Sequence, residues 1–391
     1  MRVVIAAGIF PPDIGGPATY AEQIANALSA SGRELSVVCY SSVRSDEAQR
    51  PYPVYRIPRN LPKVITYARY WYRLLRLSRT ADVIFAQGPT AGGLQSYIIN
   101  RLFHTPYVVK VTGDYAWEQG TARFGVKTSI DEFQRIGGDL PLIVRTLRSI
   151  ERAVSSAAAR VIVPSEYLRM MVVHWGVPSE RVSVVYNAAQ SGTSDKRSAA
   201  DVRTNSSSHP LVLSVGRLVP WKGFDVLVHA WQDVLAKFPS ARLVIIGSGP
   251  GAERLQELIR SSGVDGSVSL QGQRSRSEIA EWFRQADAFV LNSGYEGLSH
   301  SILEAQLCGV PCAVSDVGGN PELVTHEKTG LLFPYNNRPA LAASLLRLLD
   351  APQEAKAFAK EAQRHAEGFS VTSMVSKTLS VLEGVSKERS R

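Results

Sequence analysis

The sequence predicts an α/β protein of two doubly wound, Rossmann-like domains, each a parallel sheet covered by helices. Short β-branched runs alternate with helix-period stretches along the whole chain. The runs are almost continuously apolar, as strands buried on both faces must be. A polar, Ser-rich, aperiodic stretch, "AAQSGTSDKRSAADVRTNSSSHP", interrupts the alternation near residue 200 and reads as a linker. The length, 391 residues, exceeds what one ordinary core organises. The expected division is a first domain over 1–187, a linker over 188–209 and a second domain over 210–369. A C-terminal helix over about 370–391 is expected to pack back on the first. Domains of this kind, set with their strand ends facing, would leave a cleft, and open α/β sheets bind ligands at their carboxyl ends.

In chain order, the strand candidates of the first half are "RVVIAAG", "ELSVVCY", "DVIFAQG", "YVVKVTG", "RVIVPS" and "VSVVYN". The second half offers "PLVLSVG", "ARLVIIG", "VSLQG", "DAFVLN" and "PCAVSD". Helical stretches fall between them. "FDVLVHAWQDVLAKFP" places Val226, Leu227, Ala230, Trp231, Val234 and Leu235 on one face.

Apolar residues make up 45% and charged residues 20% of the chain, an ordinary balance for a soluble globular enzyme. No apolar run reaches the roughly 18 residues that span a bilayer. "MRVVIAAGIFPPD" is read as a buried first strand and not as a signal peptide, which needs a longer apolar core. Cys39, Cys308 and Cys312 have no metal-ligand spacing, and so few cysteines suit a reducing cytoplasm. The net charge of +9 is unevenly placed: residues 1–190 carry +8 and residues 191–391 carry +1. That asymmetry suits a surface facing something anionic, or basic side chains that only solubilise.

Four stretches carry candidate chemistry. "IFPPDIGGPATYAEQIANAL" sets Gly15 and Gly16 between a strand and a helix, where backbone N–H groups can approach an anion or simply turn the chain. "LSVGRLVPWKGFDVL" sets Arg217 after a strand and Lys222 at a helix start. Two cations there work against the helix dipole, and would hold a diphosphate and stabilise it as it leaves; two ordinary surface cations are the competing reading. "DAFVLNSGYEGLSHSILEAQLCGVP" puts Glu296 on the loop after a strand, with a helix expected from about Ser299 to Leu307. Glu304 then lies in the second turn, where it cannot cap. A buried carboxylate needs donors, and vicinal sugar hydroxyls supply two; ordinary helix-start acids are the competing reading. "VIIGSGPGAERLQELI" carries Gly247, Gly249 and Ala252 in a dinucleotide-like pattern, with Asp265 further on, but Pro250 occupies the turn.

The run from Gly216 to Pro334 resembles the donor domain of retaining glycosyltransferases of family 4, in the two-Rossmann-domain GT-B architecture. "GRLVPWKG", "VIIGSGP", "LQGQ", "ADAFVLNS", Glu296, Glu304, "AQLCGVPCAVSDVGGNPELV" and "TGLLF" carry the match in order. The N-terminal half is similar more loosely, through "GGPATYAEQIANAL". The resemblance implies that Arg217 and Lys222 hold the donor diphosphate, helped by the Gly15–Gly16 backbone. It implies that Glu304 grips the ribose, and that Glu296, with Gly297, Leu298 and Ser299, orients the transferred sugar. Gly272, Gln273 and Arg274 would lie near the base. Where the family carries His-Asp, this chain has Thr112-Gly113-Asp114. Asp114 is left as an acceptor-side candidate beside a capping or loop role.

The expected activity is transfer of a sugar from a nucleotide diphosphate sugar to an acceptor hydroxyl, with retention, in cell-surface polysaccharide or glycolipid assembly. No cofactor is expected, and since no D-x-D occurs, no metal either. A nucleotide-sugar epimerase, a non-catalytic sugar-binding module and a dinucleotide oxidoreductase are the alternatives. The expected partners are a nucleotide-sugar donor and a glycan or lipid-linked acceptor, with no nucleic acid. Peripheral contact with an anionic membrane, at the inner face of the cytoplasmic membrane, is expected from "LPKVITYARYWYRLLRLSRTADVIF". There Val64, Ala68, Trp71 and Leu75 are expected to face the core and Arg69, Arg73 and Arg76 to form another face. Tyr67, Tyr70 and Tyr72 flank the boundary, as amphipathic rings do at a lipid interface. A solvated outer helix is the competing reading.

Overall fold

The computed structural model describes residues 1–13, 15–43, 49–136, 140–188 and 209–389. Most of the expected linker, residues 189–208, lies outside the described residues. Internal contacts divide the chain into two compact units, Met1–Asn187 with Val371–Arg391, and Ala188–Ser370.

The first unit is built from Arg2–Ala7 (β1), Glu34–Ser41 (β2), Val54–Pro58 (β3), Val83–Gln87 (β4), Tyr107–Lys110 (β5), Arg160–Val163 (β6) and Val182–Val184 (β7). Among the described residues they form one parallel sheet in the order β3-β2-β1-β4-β5-β6-β7. Ile5 stands opposite Val37 on one side and Phe85 on the other, and all three are fully buried. The helices are Gly16–Ala30 (α1), Lys63–Ser78 (α2), Leu94–Phe103 (α3), Tyr115–Arg123 (α4), Ile130–Arg135 (α5), Leu142–Ala157 (α6) and Glu166–His174 (α7).

The second unit has Leu211–Val215 (β8), Arg242–Ile246 (β9), Val268–Leu270 (β10), Ala288–Leu291 (β11), Cys312–Ser315 (β12) and Leu331–Phe333 (β13). They form a second parallel sheet, β10-β9-β8-β11-β12-β13. Its helices are Phe224–Lys237 (α8), Ala252–Ser261 (α9), Arg276–Gln285 (α10), His300–Leu307 (α11), Asn320–Leu323 (α12), Arg338–Asp350 (α13) and Pro352–Ala366 (α14). Trp231 of α8 anchors the core and spends its indole N–H on Ser267 Oγ at 3.1 Å. The buried face of α8 also takes Phe224 and Val228, whereas Val226 and Leu235 are only partly covered. The last helix, Val371–Arg389 (α15), belongs to the first unit. Its Thr378 hydroxyl meets the Tyr20 hydroxyl of α1 at 2.8 Å, and Glu388 pairs with Arg160.

Each sheet grows in both directions from its first strand, so the strand order reverses between β1 and β4 and again between β8 and β11. Loops leaving the two strands at such a point diverge, opening a crevice at the carboxyl ends where doubly wound sheets hold ligands.

Helix α2 departs from the expected orientation. Its buried residues are Thr66, Tyr70, Leu74, Leu75 and Ser78, while Val64 is 79% exposed and Ala68 is also exposed. Two polar residues win the inward face because their hydroxyls find carbonyls there. Tyr70 Oη donates towards Ala7 and Val38 at 3.2 and 3.3 Å, and Thr66 Oγ1 reaches the Pro58 and Leu61 carbonyls. A buried hydroxyl with partners avoids the desolvation penalty. Of the expected stripe Leu75 is buried, Trp71 is half-buried, and Val64 and Ala68 are left outward, while Tyr70 lies in the core and not at a surface boundary.

Candidate functional site

In the second unit the loop after β8 carries Arg217 and Lys222, and the loop after β11 carries Glu296. These strands flank the reversal, so residues distant in sequence meet there. The Lys222 ammonium is paired with Glu296 Oε1, and their side chains are only 14% and 12% exposed. Ser293 Oγ donates to the same carboxylate oxygen at 2.7 Å. The loops are stitched together below the pair. Asn292 Nδ2 donates to the Gly223 carbonyl and to Asn336 Oδ1, both at 2.9 Å, and Gly294 N–H to the Trp221 carbonyl at 2.7 Å. Arg217 is exposed, with its guanidinium 5.6 Å from the Trp221 ring centroid.

Gly318, after β12, fixes the Glu296 backbone. Its φ is +57°, and a Cβ there would stand 2.2 Å from the Glu296 carbonyl oxygen. Only glycine meets both conditions. The next residue's N–H, from Gly319, donates to that same carbonyl at 2.9 Å.

Helix α11 begins at His300, with Ser299 as its cap, accepting from Ile302 N–H at 3.4 Å. Gly297, Leu298 and Ser299 are buried in the turn before it. Glu304 lies one turn in and is half-buried. Its carboxylate accepts no hydrogen bond from the described residues, and burial pushes its pKa up to about 7, with the Arg276 charge acting the other way. An acid held in this state is ready to gain donors from a ligand. The turn Gly272–Gln273–Arg274 follows β10; Gly272 and Gln273 are exposed, and Arg274 donates to Gln271 Oε1 at 3.1 Å.

The glycines of "GSGPGA" have a packing role of their own. At Gly247 a Cβ would stand 1.8 Å from the Gly216 carbonyl oxygen, and at Gly249 2.4 Å from that of Leu218. The β9 turn thus lies directly against the Arg217 loop, with Leu218 N–H donating to Ser248 at 3.0 Å.

In the first unit, Gly16 begins α1 behind β1. No side chain caps this end and no acid stands in its first turn, so its N–H groups and dipole favour an anion. Asp114 is placed elsewhere, as the cap of α4. It is 1% exposed, accepting from Trp117 N–H at 2.7 Å and from Gln134 Nε2 at 2.8 Å. Glu151 of α6 takes the Tyr115 and Ala116 N–H groups, both at 2.9 Å. Burial raises both acids above their ordinary values, Glu151 well above because the Asp114 charge adds to it. A carboxylate enclosed in this way holds a helix start; it is poorly placed to meet a hydroxyl arriving from solvent.

Two groups escaped the sequence reading. Lys110, at the end of β5, is 2% exposed, donates to Asn187 Oδ1 at 2.7 Å and lies 3.0 Å from the Tyr20 ring centroid. Burial holds its pKa well below the usual lysine value. The signal was available, since a lysine inside "YVVKVTG" interrupts an apolar strand. Glu151 gave no local signal, because its partners lie 35 and 36 residues away.

The two sheets define the GT-B class, and solved structures agree over the full length. The Anabaena protein HepE, solved with UDP and glucose, superposes with a TM-score of 0.76 at 20% identity, covering 98% of this chain and all of that one. Sucrose-phosphate synthase from Thermosynechococcus elongatus gives 0.78 at 21%, covering 98% of each. The family model for Glycosyltransferase Family 4 matches residues 14–190, and that for Glycosyl transferases group 1 matches 195–365. The chain belongs to glycosyltransferase family 4. A D-inositol 3-phosphate glycosyltransferase of Streptomyces bingchenggensis is 31% identical over 245 residues, which is 59% of this chain but only 54% of that relative's length. A GDP-mannose-dependent monoacylated alpha-(1-6)-phosphatidylinositol monomannoside mannosyltransferase of Corynebacterium glutamicum is 27% identical over 386 residues, 94% of this chain and 93% of its own.

Proposed function

We propose that the chain transfers a sugar from a nucleotide diphosphate sugar to an acceptor hydroxyl with retention of anomeric configuration. The observation that carries this is the Lys222–Glu296 pair at the strand-order reversal of the second unit, with Ser293 fixing the carboxylate. Lys222 has three N–H donors and spends one on Glu296, leaving two for a diphosphate. Arg217 adds a second cation. Glu304 takes the ribose hydroxyls, and Glu296 with the turn to Ser299 orients the sugar. The turn at Gly272–Arg274 borders the base. As the bond from anomeric carbon to phosphate oxygen breaks, the two cations offset the growing charge on that oxygen. The oxygen then takes the acceptor's proton on the same face from which the new bond forms. No metal enters this account; among the described residues no three His, Cys, Asp or Glu stand together as a metal set.

Thermal shift against a panel of nucleotide diphosphate sugars, followed by NMR of the product anomer, tests the reading. One sugar nucleotide should stabilise the protein, and the product should keep the donor's configuration. An inverted product overturns retention, and a free altered sugar formed without acceptor identifies an epimerase.

We further infer a glycan or lipid-linked acceptor and peripheral contact with anionic membrane, at the inner face of the cytoplasmic membrane. The relative named for a phosphatidylinositol mannoside supports this, as do the basic charge of residues 1–190 and the exposed Val64, Ile65, Tyr67 and Tyr72 of α2. Among the described residues no helix is long and apolar enough to cross a membrane. Arg73 lies over the Tyr55 ring at 4.5 Å, whereas Arg69 and Arg76 are exposed without an ion pair among the described residues. A basic residue near an anionic surface contributes about 1 kcal/mol. The R69Q/R76Q double variant should therefore bind anionic liposomes roughly 30-fold more weakly at low salt. Wild-type protein that fails to sediment with such liposomes would remove the membrane contact.

A further inference from the structure

Resting on the transferase reading, we propose that an apolar groove within the first unit binds the hydrocarbon chain of an acceptor that also bears a phosphate. The groove encloses about 780 Å³. Ala68 and Trp71 of α2, Leu94 and Ile98 of α3, and Leu147 and Ile150 of α6 form its apolar walls. Gly8 and Ala91 also line it. They follow β1 and β4, so the groove reaches the carboxyl end of the sheet, where the start of α1 also lies. An acceptor anchored here would present its head at the end where doubly wound sheets do their chemistry.

Three features choose the occupant. Tyr67, one of the lining residues, is 54% exposed, and α2 and α3 carry further exposed apolar side chains, Ile65, Leu102 and Phe103, which suits a chain entering from lipid. Two cations, Arg59 and Lys63, line the same groove, and Lys63 has no ion pair among the described residues. An apolar trough with cations on its wall complements an amphiphile with an anionic head, and not a plain glycan. Gln95, only 7% exposed, also lines the groove, and its Oε1 is enclosed with no hydrogen-bond partner. Such an oxygen calls for a donor, which an acceptor hydroxyl supplies.

Octyl, decyl and dodecyl phosphate, each below its critical micelle concentration, are titrated calorimetrically into the full chain. Affinity should rise up to about fourfold per added methylene. The A68W variant, which fills the groove from an exposed helix position, should lose that chain-length dependence while its circular dichroism is unchanged. The K63Q variant should keep the chain-length dependence but lose most of the preference for decyl phosphate over decanol. Equal affinities across the series, or an unaltered series in A68W, would overturn the groove. So would a concentration-dependent dimer that A68W abolishes, because a second copy would then be the occupant. Hydrolysis of the stabilising nucleotide sugar by the wild-type protein is measured in parallel. Its absence tells against the transferase reading itself, while hydrolysis with a flat alkyl series tells against the groove alone.

Discussion

The K222A variant is expected to turn over donor about 10²- to 10³-fold more slowly, the loss seen when one donor to a developing oxyanion is removed. The argument starts from where Lys222 stands. It lies on the loop after β8, its ammonium held by a carboxylate from the loop after β11, and it is largely screened from solvent. A cation fixed in this way needs no reorganisation when the diphosphate leaves, and it acts where solvent is mostly excluded. The effect should therefore fall on kcat more than on the dissociation constant for nucleotide sugar. Removing Lys222 also leaves Glu296 with Ser293 as its remaining side-chain partner, and an unpaired, mostly buried charge destabilises the fold. The K222A/E296Q double variant separates the two effects: it should recover melting temperature without recovering turnover. R217A should be milder, since Arg217 is exposed. A K222A variant with weakened donor binding and intact kcat would contradict the assignment. So would wild-type activity that collapses in EDTA and returns with magnesium.

The interior strands were legible because a strand covered on both faces is apolar throughout. All eleven strand candidates correspond to strands of the two sheets. The two that escaped, β3 and β13, are the outer strands on one side of each sheet. β3 is only partly buried and ends in Pro58, and β13 has three residues. Length alone does not separate them, since the outer strands β7 and β10 also have three residues and were read from their β-branched runs. Helix α2 failed for a different reason. Its sequence offers two stripes of similar apolarity, and the choice fell to where the Thr66 and Tyr70 hydroxyls could find carbonyls. Those carbonyls belong to residues as distant as Ala7, beyond the reach of any periodicity.

The donor-side residues were legible as chemistry before they were legible as a place. Arg217 and Lys222 stood out because cations at a helix start oppose its dipole, and Glu304 because a second-turn acid cannot cap. Their assembly was hidden, because Lys222 and Glu296 are 74 residues apart. The contact follows from strand order, in which β8 and β11 are neighbours although two strands separate them in sequence. Gly318 was read only as part of a family-like run. Its strain and its approach to the Glu296 carbonyl exist only once β12 lies beside β11.

Glu304 should show its role through pH. Its pKa in the folded chain is raised to about 7 from the ordinary 4.5, chiefly by burial. Between those values the folded protein holds a proton that the unfolded chain has released, so stability falls as pH rises through that window. The E304Q variant carries no such charge, and should match wild type at pH 4 and exceed it in melting temperature at pH 8. What costs stability serves binding. Ribose hydroxyls donate to the ionised carboxylate and favour that form. Affinity for nucleotide sugar, whose diphosphate does not titrate in this range, should therefore tighten from pH 6 to 8 and then level off, with proton release below pH 7. E304A removes the hydrogen bonds to a charged acceptor, worth about 1.5–3 kcal/mol, or roughly 10- to 150-fold in affinity at pH 8. Its fold should survive, because the Glu304 carboxylate accepts no hydrogen bond from the described residues. E304Q should fall between the two and lose the pH dependence. Calorimetry at pH 6, 7 and 8 on all three proteins decides the matter: a flat wild-type profile, or E304A binding as tightly as wild type, removes Glu304 from the ribose.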